Sequence, residues 1–460
     1  MTPAVAYQNL EEALRAVGSP VELLRNSQIG PYAFPVVPSE FTNWRDEQRS
    51  WRDTCALFDQ SHHMTDLYIE GPDALKVLSD LAVNSFKNFK INQAKQFVAC
   101  NHEGYVIGDA ILFYLDANLL SLVGRPSAIN WVQYNIETGQ CAAKAERDER
   151  SAVNRGTRKF FRYQVQGPNA LKVMEKVLGK PAPDIRFFQM SVIAVAGRDI
   201  HALRHGMVGQ PGWELFGPWE YGDQVRDAIV TAGREYGIRL VGARTYPTSC
   251  LESGWIPSPL PAIYVGDKMK AYRQWLSGKS YEAMASLGGS FYSNDITDYY
   301  LTPYDLGYGP FVKFDHEFVG RAALEKMADH PTRQKVTLVW NGEDVARALG
   351  SLFHSGDITK YIDLPLANYA TLPYDKVLKG GKTVGVSTYT GYTYNERAMI
   401  SLAVVDVAYS EPGTEVTLVW GEEGRGSSKP TVERHLQAEI RATVAPVPIS
   451  DVARIGYRPK

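Results

Sequence analysis

Apolar residues recur along this chain with two periods, and the changes of period mark its elements. Tyr68-Ile69-Glu70-Gly71-Pro72-Asp73-Ala74-Leu75-Lys76-Val77-Leu78 returns as Tyr163-Gln164-Val165-Gln166-Gly167-Pro168-Asn169-Ala170-Leu171-Lys172-Val173-Met174. Each copy predicts a strand, a Gly-Pro break, an Asp or Asn cap, and an amphipathic helix with apolar residues three and four apart. Two such copies imply two related α+β units packed together. A further helix is expected over 221–236, with Val225, Ile229 and Ala232 on one side, and another over 320–328. Ile111-Leu112-Phe113-Tyr114, Leu120-Ser121-Leu122-Val123 and Val192-Ile193-Ala194-Val195 read as strands. After about residue 333 the pattern changes. Runs at 335–340, 383–388, 400–405 and 415–420 are rich in β-branched residues and separated by Gly, Pro and Asn, the spacing of a compact β barrel or sandwich. The fold class expected is therefore α+β, with a body of two related units at 1–332 and an all-β domain at 333–460.

Composition narrows the function classes. The 460 residues are 44% hydrophobic and 22% charged, and 49 basic against 51 acidic residues leave a net charge of −2. No basic stripe invites nucleic acid, and no apolar run approaches the roughly 20 residues of a spanning helix. Residues 1–12 include Glu11 and Glu12 and lack the basic-then-apolar order of an export signal. Cys55, Cys100, Cys141 and Cys250 form no C-x-x-C pair, which fits free thiols in a reducing cytoplasm.

Five clusters could carry chemistry. In Phe58-Asp59-Gln60-Ser61-His62-His63-Met64, adjacent histidines on a strand would face opposite ways, so at most one addresses a pocket. No third ligand at a recognisable spacing accompanies them, so no metal is implied. Gly104-Tyr105-Val106-Ile107-Gly108-Asp109 sets Asp109 at a strand entrance, either as a turn residue or as a carboxylate aimed into a pocket. In Gly124-Arg125-Pro126, Arg125 offers a planar fork for a carboxylate, or forms an ordinary salt bridge. The glycine-rich stretch at 204–215 delivers Trp213 and Glu214 from an irregular loop. Glu214 could accept paired N–H donors from a heterocycle; a plain hairpin loop is the alternative. Gly242-Ala243-Arg244-Thr245-Tyr246-Pro247 precedes Leu251-Glu252-Ser253-Gly254-Trp255, and the proline biases Tyr246 toward an extended backbone.

In this order the clusters resemble the folate-dependent aminomethyltransferase family of the glycine cleavage T-protein. Asp59 to Met64, Gly71-Pro72-Asp73-Ala74, Gln166-Gly167-Pro168, Ala196-Gly197, Gly242-Ala243-Arg244 and Phe318-Val319-Gly320-Arg321 match its motifs. The departures are chemical. Gly108-Asp109 stands where amine-handling members have two acids, and Met207-Val208-Gly209-Gln210 replaces their Tyr-Thr-Gly-Glu. The chain is most similar to the tetrahydrofolate-dependent O-demethylases of lignin-derived methoxybenzoates, the syringate and vanillate type. Leu24 to Gly30, the string at 251–261 and the string at 307–315 carry that likeness.

The resemblance implies transfer of an aryl methyl group to N5 of tetrahydrofolate, with no call for metal, flavin or corrinoid. It assigns Tyr246 as proton donor to the leaving oxygen. Arg125 and His63, with Gln60, would hold the benzoate carboxylate, and Phe34 and Tyr32 would shape the arene site. Glu214, Trp255 and Asp109 would meet the pterin. Phe34, lacking the second hydroxyl of the vanillate type, favours syringate over vanillate or 3-O-methylgallate. The rivals are a glycine-cleavage-type aminomethyltransferase and a non-catalytic folate-binding relative. Oligomeric state stays open.

Overall fold

The computed structural model describes residues 7–257, 259–427 and 429–456. Residues 1–6 of the amino-terminal stretch, Ser258 of the string at 251–261, and residues 457–460 lie outside the described residues.

Both copies of the strand–Gly-Pro–helix theme form, each within its own sheet. Thr65–Glu70 belongs to a five-stranded sheet ordered Gln93–Cys100, Val106–Asp116, Leu119–Gly124, Thr65–Glu70, Lys144–Asp148. Phe160–Gln166 belongs to a six-stranded sheet ordered Ile238–Val241, Cys55–Asp59, Phe160–Gln166, Gly212–Pro218, Arg198–Arg204, Met190–Val195. Helices Ala74–Leu81 and Ala170–Leu178 follow the two breaks. Glycine is required at both: Gly71 has φ +122° and Gly167 φ +130°, and an added Cβ would sit 2.3 Å from the Ala142 oxygen or 2.7 Å from that of Thr54. The expected side-chain caps do not form. Asp73 Oδ2 accepts from the Ala142 N–H at 2.8 Å, and Asn169 Nδ2 donates to the Tyr236 carbonyl at 3.1 Å. The backbone packed against each break competes for the capping group and wins it.

The helix expected over 221–236 is Gly222–Gly233 with a 3-10 turn at either end, and Val225, Ile229 and Ala232 are buried. The one expected over 320–328 is Arg321–Met327. Among the described residues seven further helices of the body had no expectation: Leu10–Val17, Pro20–Arg25, Trp44–Asp53, Pro126–Thr138, Ser249–Ser253, Lys270–Trp275 and Tyr281–Met284.

The strands after residue 333 close a barrel ordered Arg333–Trp340, Ala398–Asp406, Lys382–Thr393, Asp375–Lys379, Glu415–Trp420, Ala438–Ala445, with the helix Gly342–Gly350 alongside. Ala398–Asp406 shows how the barrel meets the body. Its alternate residues Met399, Ala403 and Val405 fill the barrel core. Ile400, Leu402 and Val404 face the other way and pack with Leu251, Ile256, Val98 and Val106. A strand buried on both faces fixes the segment around Leu251 against the five-stranded sheet.

Candidate active site

A cavity of about 610 Å³ lies where the two sheets, the segment around Tyr246 and the barrel converge, a volume ordinary for a small-molecule site. Its walls include Asp109 and Arg125 from the five-stranded sheet, Glu214 from the six-stranded sheet, and Lys335 and Tyr389 from the barrel.

Tyr246 is held from several sides. Glu47, on the helix Trp44–Asp53, accepts from the Gly242 N–H at 2.9 Å and from Thr245 Oγ1 at 2.6 Å. Tyr389 donates its phenol to the Pro247 carbonyl at 2.9 Å. Tyr246 is not extended as its proline suggested; it opens the 3-10 turn Tyr246–Thr248. The Tyr246 N–H reaches the Gly242 carbonyl at 2.9 Å, and that local bond outweighs the steric bias. The ring packs on Phe34, His63 and Phe58 at centroid distances of 4.7, 4.8 and 5.4 Å. Burial pushes its phenol well above the usual value, so it stays protonated at neutral pH.

The glycine-rich loop rests on a polar face. Arg162, Gln164 and Gln166 alternate along Phe160–Gln166 and are buried together on one side. Gln164 Nε2 donates to the His205 carbonyl at 2.8 Å, and Gln166 Oε1 accepts from the Met207 N–H at 2.7 Å. Arg162 Nη1 holds Glu214 Oε1 at 2.5 Å and its Nη2 reaches Asp66 at 3.3 Å. Arg158 continues the chain to Asp66 at 2.6 Å and Asp148 at 2.9 Å. Burial pushes the Glu214 carboxyl up, but Arg162 and His205 outweigh it and the net shift is downward. Glu214 is thus an ionised carboxylate whose Oε2 lies 3.4 Å from His205 Nδ1, a nitrogen with no hydrogen-bond partner.

Asp109 sits within Val106–Asp116 rather than at a strand entrance, which removes the turn reading. Its Oδ2 accepts from Gln96 Nε2 at 2.9 Å, Trp255 Nε1 at 3.0 Å and the Tyr308 phenol at 2.8 Å. Burial raises its carboxyl above the usual range, and the Tyr308 and Trp255 bonds offset only part of that.

Arg125 follows the strand Leu119–Gly124 and precedes the helix Pro126–Thr138. Among the described residues it makes no ion pair; its guanidinium lies 4.9 Å from the Tyr32 ring centroid. Tyr32 stands behind the cavity wall and donates its phenol to the His63 carbonyl at 2.6 Å. Burial and Arg125 push the His63 imidazole down to about 3, so it is neutral at pH 7. His63 Nδ1 and Gln60 Oε1 are buried without hydrogen-bond partners. The two histidines lie in a turn, not on a strand, and part company there: His62 bonds Ser151 Oγ at 2.9 Å and leaves the cavity to His63.

Tyr246, Arg125, His63, Gln60, Phe34, Glu214, Trp255 and Asp109 therefore line one cavity, with Tyr32 one layer out. Sequence reasoning missed Gln96 and Tyr308, which share Asp109, and the role of Arg162. Three polar residues at period two in a strand otherwise reading as core were the available signal for Arg162. Cys250 also lines the cavity, its thiol pushed up to about 11 by burial. Among the described residues no three His, Cys, Asp or Glu side chains group as metal ligands would, and no helix is long and apolar enough to cross a membrane.

Paired sheets and a carboxy-terminal barrel enclose a cavity that offers an ionised carboxylate and a neutral phenol, and the fold is that of the aminomethyltransferases. A family model described as the GCVT N-terminal domain matches residues 25–258, and the chain belongs to this family. It is 50% identical over 451 residues, 98% of each chain, to syringate O-demethylase of Sphingobium sp. (strain NBRC 103272 / SYK-6). It is 28% identical over 438 residues, 92% of each chain, to sesamin methylene transferase of Sinomonas sp. (strain No.22). The crystal structure of glycine cleavage system aminomethyltransferase T from Bartonella henselae shares the fold, with a TM-score of 0.61 over 95% of this chain and 97% of that one at 19% identity.

Proposed function

We propose that the protein is a tetrahydrofolate-dependent aromatic O-demethylase. It moves a methyl group from a methoxybenzoate, syringate being favoured, to N5 of tetrahydrofolate, releasing 5-methyltetrahydrofolate and the catechol-type acid. The observation that carries this reading is a cavity with an unpaired guanidinium, Arg125, near one neutral phenol, Tyr246, and an ionised carboxylate, Glu214, on a further wall. The half-identical relative over nearly the whole chain supports the substrate class.

The residues fit a reduced pterin. Its ring edge presents adjacent N–H donors, and Glu214 Oε2 is an ionised acceptor beside the unpartnered His205 Nδ1. Asp109, with all three of its bonds on Oδ2, and Trp255 form a second polar and aromatic edge. When bound, tetrahydrofolate supplies the N5 lone pair that takes the methyl group and, in the net balance, the proton that the released phenol keeps.

The chain's own residues orient and stabilise. Arg125 pairs with the arene carboxylate, and neutral His63 adds a hydrogen bond without adding charge. Phe34 forms an apolar wall beside the ring, and its missing hydroxyl leaves room for a second methoxy group. Tyr246 donates a hydrogen bond to the leaving oxygen as negative charge develops there, an assistance of about 10²–10⁴-fold for a well-placed acid. Holding both reactants in line lowers the barrier further by sparing them the entropy of encounter. The four free cysteines are in keeping with a cytoplasmic setting.

Incubation with tetrahydrofolate and syringate tests the reading. The catechol product should form without any lipoyl protein. Absence of product, with turnover of an aminomethylated lipoyl protein instead, would assign the chain to the aminomethyltransferases.

A further inference from the structure

The fully buried arginines of this protein are neutralised. Arg158 meets Asp66 and Asp148, Arg162 meets Glu214 and Asp66, and Arg273 meets Glu11 at 2.6 Å. Arg147, less deeply placed, still holds Glu149 at 2.7 Å. This is the ordinary outcome, since an uncompensated guanidinium away from water is costly and cannot shed its proton.

Arg125 and Arg150 break the pattern together. Both are partly buried, and neither makes an ion pair among the described residues. Their guanidiniums share one aromatic ring: Arg125 lies 4.9 Å and Arg150 5.5 Å from the centroid of Tyr32. Arg150 also lies 5.9 Å from the Tyr281 ring, and its Nε is buried without a hydrogen-bond partner. The nearest acid in sequence, Glu149, is held by Arg147 and by Thr65 Oγ1 at 2.7 Å; it takes the Arg150 backbone N–H at 3.2 Å and feels the Arg150 charge, but forms no ion pair with that guanidinium. Two like charges gathered on one ring, with ring faces in place of carboxylates, form a site that an external anion completes.

We infer that Arg150 is a positioning residue for the arene carboxylate: with Arg125 and Tyr32 it forms a two-cation anion site that selects benzoates over neutral methoxyarenes. Arg125 lines the cavity and touches the carboxylate. Arg150 acts from behind Tyr32, fixing the ring whose phenol holds the His63 carbonyl at 2.6 Å and adding a second positive charge to the field at that end. The inference rests on the arene-binding reading above but not on methyl transfer, so binding alone can test it.

The experiment measures dissociation constants for syringate and for its neutral aldehyde, without folate, on the wild-type chain, Arg150→Ala and Arg150→Lys. For Arg150→Ala the acid should bind about tenfold more weakly, the size of effect expected of a charge one ring away in a partly buried site, and the aldehyde should change less than about twofold. Arg150→Lys should recover most of the acid affinity, and it decides the matter if the alanine variant does not fold. Unchanged acid affinity in Arg150→Ala, equal losses for acid and aldehyde, or a lysine variant as weak as alanine would each overturn the inference. Intact binding without methyl transfer by the wild-type chain would overturn the demethylase reading instead and leave the anion site standing.

Discussion

Two pairs of arginines lie in the same body and have opposite surroundings. Arg158 and Arg162 are sealed between the sheets with Asp148, Asp66 and Glu214, each guanidinium meeting two carboxylates. Arg125 and Arg150 both lie against the Tyr32 ring, and neither makes an ion pair among the described residues. The first pair is architecture, tying Glu214 to the strand that carries the glycine-rich loop. The second, without a paired acid among the described residues, is the feature on which the proposed site for a substrate carboxylate rests. Asp375 supplies the mirror case: a buried acid with no cation, it relieves itself by holding a proton, its carboxyl pushed up to about 7 by burial. A guanidinium has no such exit.

The comparison can be broken in four places. Arg158→Ala should cost the most, about 3–5 kcal/mol, because it strands Asp148 without a counter-ion and leaves Asp66 only Arg162, at 3.3 Å; the midpoint of urea unfolding reads it. Arg125→Ala should do the reverse. It should weaken syringate binding by about 2 kcal/mol or more while leaving the melting temperature no lower and folate binding nearly unchanged, as titration of each ligand would report. Equal losses for both ligands would argue against the carboxylate role. Tyr246→Phe should keep both ligands bound and slow turnover at least about tenfold, roughly 1.4 kcal/mol on the barrier. Unchanged turnover would remove its role as donor.

The fourth test concerns Asp375. Its folded value lies above the ordinary 3.8, so between about pH 4 and pH 7 the native chain keeps a proton that the unfolded chain has lost. Stability should therefore fall as pH rises through that window, by up to about 1.4 kcal/mol per pH unit from this group. Asp375→Asn keeps an acceptor for the Ser290 N–H at 3.0 Å and the Tyr369 phenol at 3.2 Å. Melting curves from pH 5 to pH 8 should show a flatter decline for that variant.

How much of this was legible in the chain depended on where partners sit. The barrel strands were visible because β-branched runs report burial directly. The helix Trp44–Asp53 was not, since its buried face carries Glu47, Gln48 and Ser50 beside its tryptophans. Glu47 is at home there only because Gly242 and Thr245, some two hundred positions on, supply its hydrogen bonds. Arg125 could be singled out because it stands between glycine and proline at a change of element, and Asp109 and Glu214 because a glycine lies one or two positions ahead of each. Tyr308 could not, for its bond to Asp109 spans 199 positions. Tyr32 was expected at the arene and stands one layer behind it, a distinction of depth that residue type does not encode.

Direct passage of an intact methyl group is the central claim, and syringate carrying fully deuterated methoxy groups tests it most directly. After turnover with tetrahydrofolate, mass spectrometry should find all three deuterons of one methoxy group on 5-methyltetrahydrofolate, in equal amount to the catechol acid. Label released as formaldehyde, or a folate product that has lost deuterium, would contradict the account.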